Sequence, residues 1–185
     1  LLKTKSPGEI SIREIARAAG VSQAAPFRHF ASKEELLAAI MKEGFELQAK
    51  YMRESSEKYK DDPLERFYQC GLCYLRMGLK HPQHFKLMFQ SEIIPDEKYP
   101  ELQMAASSTF VVLRNMIIDL QATGLFGTGD PYLRSMNCWS VVHGFTSLYA
   151  EGRLAWLGVT QENAEAAMRV LLSQYLNGTK ASIDP

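Results

Sequence analysis

Residues 11–40 read SIREIARAAGVSQAAPFRHFASKEELLAAI, and the punctuation of this run decides the fold. Ser11-Ile12-Arg13-Glu14 and Ser32-Lys33-Glu34-Glu35 are both S-x-x-E capping boxes, in which serine and glutamate satisfy orphan amides at a helix start. Between them Ala19-Gly20-Val21 interrupts the chain, and Ser22 is able to cap a further helix. The spacing predicts a helix over 12–19, a tight turn at Gly20, a short helix over 23–30 and a long helix over 32–58.

The short helix is nearly bare on one side. Helical residues advance about 100° each, so Pro26 and Phe30 lie together, with Val21 in the preceding turn, as a face for the core. Opposite stand Ala24, Ala25 and Arg28, with Phe27 and His29 on the flanks and Gln23 at the tip. Such a helix end suits a DNA major groove. Alanines let the backbone approach and offer methyls to thymine, Gln23 can pair with adenine, and Arg28 can pair with guanine or phosphate. His29 and Lys33 are placed to reach phosphates on the rim, contacts that position without specifying sequence. Pro26 is the fourth helical residue, so it forfeits about one intrahelical bond near an end where such bonds are fewest. In the preceding helix Ile12, Ile15, Ala16 and Ala19 make a stripe for burial, while Arg13 and Arg17 point away. Helix, glycine turn, helix is the helix-turn-helix geometry. A plain three-helix fragment with a solvated basic face explains the caps and Gly20 equally well, but not the outward pair of alanines beside an arginine.

Charge agrees with the first reading. The chain is formally neutral, yet residues 1–33 hold six basic side chains against two acidic ones, and the remainder holds fifteen against nineteen. A basic front on an acidic body is the asymmetry expected where one end meets a polyanion. No apolar run approaches the roughly 20 residues that span a bilayer, and three cysteines, an odd number behind no signal-like start, point to a reducing interior. A soluble, cytoplasmic protein without a membrane partner is expected.

The rest of the chain also reads as helix, with no convincing two-residue alternation. Asp62-Pro63-Leu64-Glu65 starts a helix to about 79, and His81-Pro82 a short one through 90. The segment IPDEKYP (94–100) is a loop, and 101–123 is a long helix ended by GLFGTG. Asp130-Pro131 caps a helix to about 157, and Thr160 one to about 176.

The run over 11–40 closely resembles the DNA-binding domain of the tetracycline-repressor (TetR) family of bacterial regulators. That resemblance places Ser11, Arg13, Ser22, Gln23, Ala24, Ala25, Phe27, Arg28, His29 and Lys33 where the family touches DNA. Two departures stand out. The family usually has tyrosine, with a phosphate-binding hydroxyl, at Phe27. It also has a full helix before Ser11, where this chain has only LLKTKSPGEI, so the first helix is expected to be largely missing. Farther on, Trp139-Ser140-Val141-Val142-His143-Gly144 resembles the W-x-x-x-H-G signature of one C-terminal subgroup, and His81-Pro82 with Phe85-Lys86-Leu87-Met88-Phe89 resembles it too. The resemblance implies a body that dimerises and holds a small-molecule pocket, whose occupation draws the two DNA-reading heads out of register.

The residues offer material for each role. Tyr74, Met77, Phe85, Met88, Phe89, Phe110, Leu113, Met116 and Ile117 form an aromatic and methionine-rich set on successive helices, suited to a pocket for a small apolar ligand. Residue by residue, plain core is the simpler account. Trp139 and His143 lie one turn apart as a pocket wall with one polar anchor. Trp139 and Gly144 read first as structural, while His143 remains open between anchor and satisfied core residue. Val141, Phe145 and Leu148, then Ala167, Leu171, Gln174 and Tyr175, are apolar stripes through which two helices per protomer can pack as a four-helix bundle.

Cys70-Gly71-Leu72-Cys73 with His81 and His84 invites a zinc reading, but the spacing is wrong and the cysteines lie within a helix. No glycine-rich phosphate loop, nucleophile elbow or catalytic carboxylate pair is present, so neither an enzyme nor a cofactor is expected. The expectation is an all-α protein. Residues 1–50 make a three-helix helix-turn-helix domain, and 51–185 a helical ligand-binding and dimerisation domain. It acts as a ligand-responsive regulator, most simply a repressor, on palindromic operator DNA as a homodimer. The alternatives are the same fold without an inducer, and a helical enzyme or carrier that uses the apolar cavity.

Overall fold

The computed structural model describes residues 1, 4–5, 7–90, 93, 95 and 97–178. Among them are seven α-helices, two short 3-10 turns and no strand. The helices are α1 (Ile12–Ala18), α2 (Lys33–Lys58), α3 (Pro63–Lys80), α4 (Pro82–Gln90), α5 (Pro100–Ala122), α6 (Pro131–Ala150) and α7 (Ala164–Gly178). Pro26–Arg28 and Ala155–Leu157 are the 3-10 turns.

Local chemistry sets most boundaries. At α1 the capping box is complete: Ser11 Oγ accepts from the Glu14 amide, and the Glu14 carboxylate accepts from the Ser11 amide. At α2 only half of the box forms. Ser32 Oγ accepts from the Glu35 amide at 3.1 Å, but the Glu35 carboxylate takes the amide of Ala31 instead of Ser32. Asp62 caps α3 through the Glu65 amide, while the Glu65 side chain turns to Gln69 and Arg169.

Three expectations are corrected. The helix expected over 23–30 is a turn followed by the 3-10 turn Pro26–Arg28. Pro26 has no N–H to give the Ser22 carbonyl, so that carbonyl takes the Ala25 amide at 3.0 Å, and the Arg28 and His29 amides likewise reach back three residues. Second, α6 ends at Ala150, not near 157. Gly152 takes φ 71°, and the Arg153 and Gly152 amides close on the carbonyls of Leu148 and Tyr149 in a Schellman motif. Third, Thr160 starts a turn that Asn163 closes by accepting from its amide, and α7 begins at Ala164. Within the loop expected over 94–100, Ile94 and Asp96 lie outside the described residues, and Pro95 and 97–99 are bends and turns.

Two hydrophobic clusters organise the body. One gathers Phe67, Leu72, Leu75, Ile117, Leu120 and Met168 among α3, α5 and α7, with Cys138 and Val142 of α6. The other joins Met41 and Phe45 of α2 to Met77, Leu87, Met88 and Leu102. Small residues permit the crossings. A Cβ on Gly71 would stand 2.6 Å from Leu172 Cδ1, and one on Gly78 2.6 Å from Thr146 Cγ2. Reciprocal ion pairs, Arg76 with Glu165 and Arg169 with Glu65, tie α3 to α7 across the rim. α2 passes through residue 50 without a break, so one helix serves both the N-terminal unit and the body.

Candidate functional site

The N-terminal unit presents a cationic face. Gly20 takes φ 69°, and the amides of Val21 and Gly20 close on the carbonyls of Ala16 and Arg17, turning the chain sharply after α1. This aims the 22–28 segment outward beside α1. Arg13, Arg17, Val21, Ser22 and Gln23 share a shallow cleft of about 560 Å³ with Glu14. Glu14 is the one acid lining that cleft, and it is already engaged. Lys5 Nζ stands 2.5 Å from its carboxylate, and that hydrogen bond, helped by those from Ser11, holds its pKa down at about 2.

The ten residues expected to meet DNA divide into three groups. Arg13, Ser22, Gln23, Ala24, Phe27, Arg28 and His29 are exposed, and Phe27 is 56% so. Ala25 is half-buried, and Ser11 serves as the α1 cap. Lys33 is already engaged, since its ammonium donates to the Gly8 carbonyl at 2.7 Å and ties the first residues to α2. The core face differs from expectation: Pro26 and Phe30 are half-buried, but Val21 is 47% exposed. With the helix replaced by a turn, Val21 follows the glycine into solvent. In α1, Ile12 and Ala16 are buried, Ile15 is half-buried and Ala19 is exposed, because Ala19 is already the C-cap.

Beside the apolar cluster of Met41 and Phe45, ion pairs also join the N-terminal unit to the body. Lys98 donates to Glu34 at 2.7 Å, and Lys42 bridges Glu46 and Glu101 at 3.3 Å. These pairs flank a cleft of about 490 Å³ that reaches from His29 and Phe30 to Tyr99 and Leu102.

In the body, five of the eleven candidate pocket residues converge. Trp139 Nε1 donates to the Tyr74 hydroxyl at 3.1 Å, and Tyr74 Oη lies 2.8 Å from His143 Nδ1. The Tyr74 hydroxyl thus pairs with both Trp139 and His143 Nδ1, and His143 Nε2 lies 3.2 Å from Ser147 Oγ. Burial agrees with this relay, raising the Tyr74 pKa and lowering that of His143, which favours both neutral forms. Phe85 and Phe89 wall it, their ring centres 5.8 and 4.7 Å from that of His143. Leu113 lines the small cavity beside Tyr74 and Trp139, and the other five lie elsewhere. Met116 and Ile117 pack in the first cluster, Met77 and Met88 in the second, and the Phe110 ring meets Tyr132. The cavity beside Tyr74 and Trp139 measures about 20 Å³, room for roughly one water molecule.

Cys70, Cys73 and Cys138 are free and buried. Burial raises the Cys70 thiol and pushes that of Cys138 up to about 12, which leaves both as unreactive thiols. Among the described residues no group of three or more His, Cys, Asp or Glu side chains could hold a metal ion, and no helix is long and apolar enough to cross a membrane.

Two residues escaped the sequence reading. Ser147 lies one turn beyond His143 and closes the relay. Gln48 is 2% exposed on the buried face of α2, three residues after Phe45 and four before Met52. Its signal was a polar side chain at an apolar helical spacing.

An all-helical body with an aromatic core, carrying a helix-turn-helix unit whose outer face is cationic, defines a class of DNA-binding regulator. Residues 67–174 match the tetracyclin repressor-like C-terminal domain, and residues 1–40 match the bacterial regulatory proteins of the tetR family. The chain belongs to the TetR family of transcriptional regulators. No curated relative matches it in sequence. Among solved structures it is similar to a protein of unknown function from Rhodococcus sp. RHA1, with TM-score 0.81 and 23% identity over 97% of this chain and 90% of that one. It is also similar to the TetR family transcriptional regulator PfmR from Thermus thermophilus, with TM-score 0.77 and 21% identity over 95% and 92%. A third similar structure is AibR in complex with isovaleryl coenzyme A and operator DNA, with TM-score 0.67 and 19% identity over 88% and 86%.

Proposed function

We propose that this regulator is a repressor that binds a palindromic operator as a homodimer and leaves it when a small apolar ligand enters the body. The observation that carries this reading is the exposed run from Ser22 to Ala24 with Arg28, set beside Arg13 and Arg17 with the nearby acid already paired. Small side chains let the backbone approach the major groove, Gln23 and Arg28 have the donors and acceptors to read base edges, and Arg13 and Arg17 face phosphates. Ser11, Ala25, Phe27 and His29 complete the face, and Lys33 braces it through Gly8. Residues 1–50 act as the reading domain and 51–185 as the effector and dimerisation domain, with α2 as the shared lever.

Dimerisation follows from specificity, because one short segment reads too few bases. The outward faces of α6 and α7 supply the surface: Leu133, Met136, Leu148 and Val170 are all large, apolar and exposed. This differs from the stripes read from sequence, since Phe145 and Tyr175 pack inward on the first cluster. AibR, in one complex with isovaleryl coenzyme A and operator DNA, supports a site for each in this fold. A ligand that fits only one spacing of the reading heads lowers DNA affinity by its differential binding energy.

Selection of random duplex DNA by the purified protein at fixed salt tests the reading. Enrichment of a palindrome with half-sites about one helical turn apart is the expected result. Recovery of salt-sensitive binding without sequence preference would remove the repressor assignment.

A further inference from the structure

Among the described residues, Gln48 Oε1, Arg66 Nε and Arg114 Nε are buried without a partner, and of the three residues only Gln48 is itself fully buried. It is buried, and no donor among the described residues reaches its Oε1. A buried acceptor left open costs about as much as a lost hydrogen bond, and folded chains seldom carry one without a use for it. Gln48 also stands where the two clusters meet, since Phe45 belongs to one and Met52 to the other. The half-buried ring of Phe89 touches both sides of this seam, with its centre 5.6 Å from that of Phe45, 6.1 Å from Tyr74 and 6.4 Å from Trp139. Phe89 lies near the end of α4, a helix of nine residues.

The polar groups across the seam are already matched, because the Tyr74 hydroxyl accepts from Trp139 and pairs with His143 Nδ1. Gln48 Oε1 is the acceptor still open, so an incoming molecule must bring a donor. Met52, one turn on from Gln48, lines the small cavity next to Tyr74, and that lining holds no Lys, Arg, Asp or Glu. An ionised ligand seated there would lose its hydration and find no counter-charge. Room must be made by rearrangement, and the lining and adjoining Met52, Met77 and Met88 are unbranched, adaptable side chains.

From this we infer that the seam takes an uncharged, largely apolar effector with one hydrogen-bond donor, which Gln48 Oε1 receives as the effector displaces Phe89. The inference rests on the ligand-responsive reading above and names the chemical class that the site selects.

Calorimetric titration of the full chain with three probes of one ring size tests it. These are 1-naphthol, with a neutral donor, 1-methoxynaphthalene, with none, and 1-naphthoate, an anion. Naphthol binds about tenfold more tightly than the methoxy compound, the equivalent of one hydrogen bond, and naphthoate binds more weakly than either. Gln48→Leu, or Gln48→Met if the first variant folds poorly, brings naphthol to the affinity of the methoxy compound. Phe89→Ala tightens both neutral probes and keeps their ratio. A preference for naphthoate, a naphthol preference that survives Gln48→Leu, or no binding of any probe overturns the assignment. Release of operator DNA, measured in parallel, separates the two readings. Naphthol bound with the donor preference while DNA stays bound upholds the site and removes the ligand-responsive reading. Release by naphthoate alone upholds that reading and removes the site.

Discussion

The Tyr74 hydroxyl and His143 Nδ1, 69 residues apart in the chain, meet at 2.8 Å and tie α3 to α6. Removing that one oxygen strands two partners at once. Tyr74→Phe leaves the Trp139 indole N–H without its acceptor and His143 Nδ1 without its partner, at a cost of about 1–3 kcal/mol. Urea unfolding measures it, with tryptophan emission as a second reading. Trp139→Phe costs less, because the tyrosine still pairs with His143. Equal losses in the two variants would show that the Tyr74–His143 bond adds nothing to the fold.

Acid weakens the fold through His143. Burial holds its pKa in the folded protein below the usual 6.5, and its polar neighbours, Tyr74 and Ser147, carry no charge to offset this. Below about pH 6.5 the unfolded chain takes up a proton that the folded chain refuses, so stability falls as pH drops from there toward the folded pKa. Above that range His143 contributes no slope. Unfolding free energies between pH 5 and 8 check this. His143→Gln flattens the slope below pH 6.5, and a variant with an unchanged slope would assign the titration to another group.

How much of this is legible in the sequence depends on how local each cause is. The turn at Gly20 and the cap Ser11–Glu14 are readable because a few neighbouring residues determine them. Pro26 reads as one lost bond, but its real effect is to replace the helix over 23–30 by a turn and the 3-10 turn Pro26–Arg28, which carries Val21 out of the core. The end of α6 is hidden because Leu154 and Leu157 continue an apolar spacing past Gly152, where the left-handed glycine overrides it. The pocket set is a list of the right residue types without a partition. Only tertiary packing separates Met77 and Met88 from the Tyr74 relay, and spacing along a helix carries no such information. Gln48 is visible in principle, as a polar residue between Phe45 and Met52, but its open oxygen is a fact of three dimensions.

Arg28 and Lys33 separate reading from bracing. Arg28 is exposed on the cationic face, so Arg28→Ala weakens operator binding by about 1–3 kcal/mol and relaxes the preferred sequence at one position. Lys33 donates to the Gly8 carbonyl, so Lys33→Ala lowers affinity evenly for all sequences and loosens the first residues toward protease. Binding to a panel of single-base operator variants distinguishes the two. Lost selectivity in the Lys33 variant would place its ammonium on a base edge and not on Gly8.

Gly144 tests the dimer face from inside a helix. It lies on the outward side of α6 near Ser140 and Leu148, and a Cβ built there meets nothing within 4 Å. A single protomer therefore has room for a large side chain at this position. If the outward faces of α6 and α7 pair between protomers, Gly144→Arg drives an unpaired charge into the apolar surface made by Leu133, Met136, Leu148 and Val170. Placing a charge without a partner in such an interface costs about 3 kcal/mol or more, which raises the dimer dissociation constant at least a hundredfold or so. Light scattering across a dilution series reads this as a mass falling to that of one chain, while circular dichroism keeps its helical amplitude. Specific operator affinity falls with it, since each half-site is then held alone. A Gly144→Arg protein that stays dimeric at low concentration would move the interface off this face of α6.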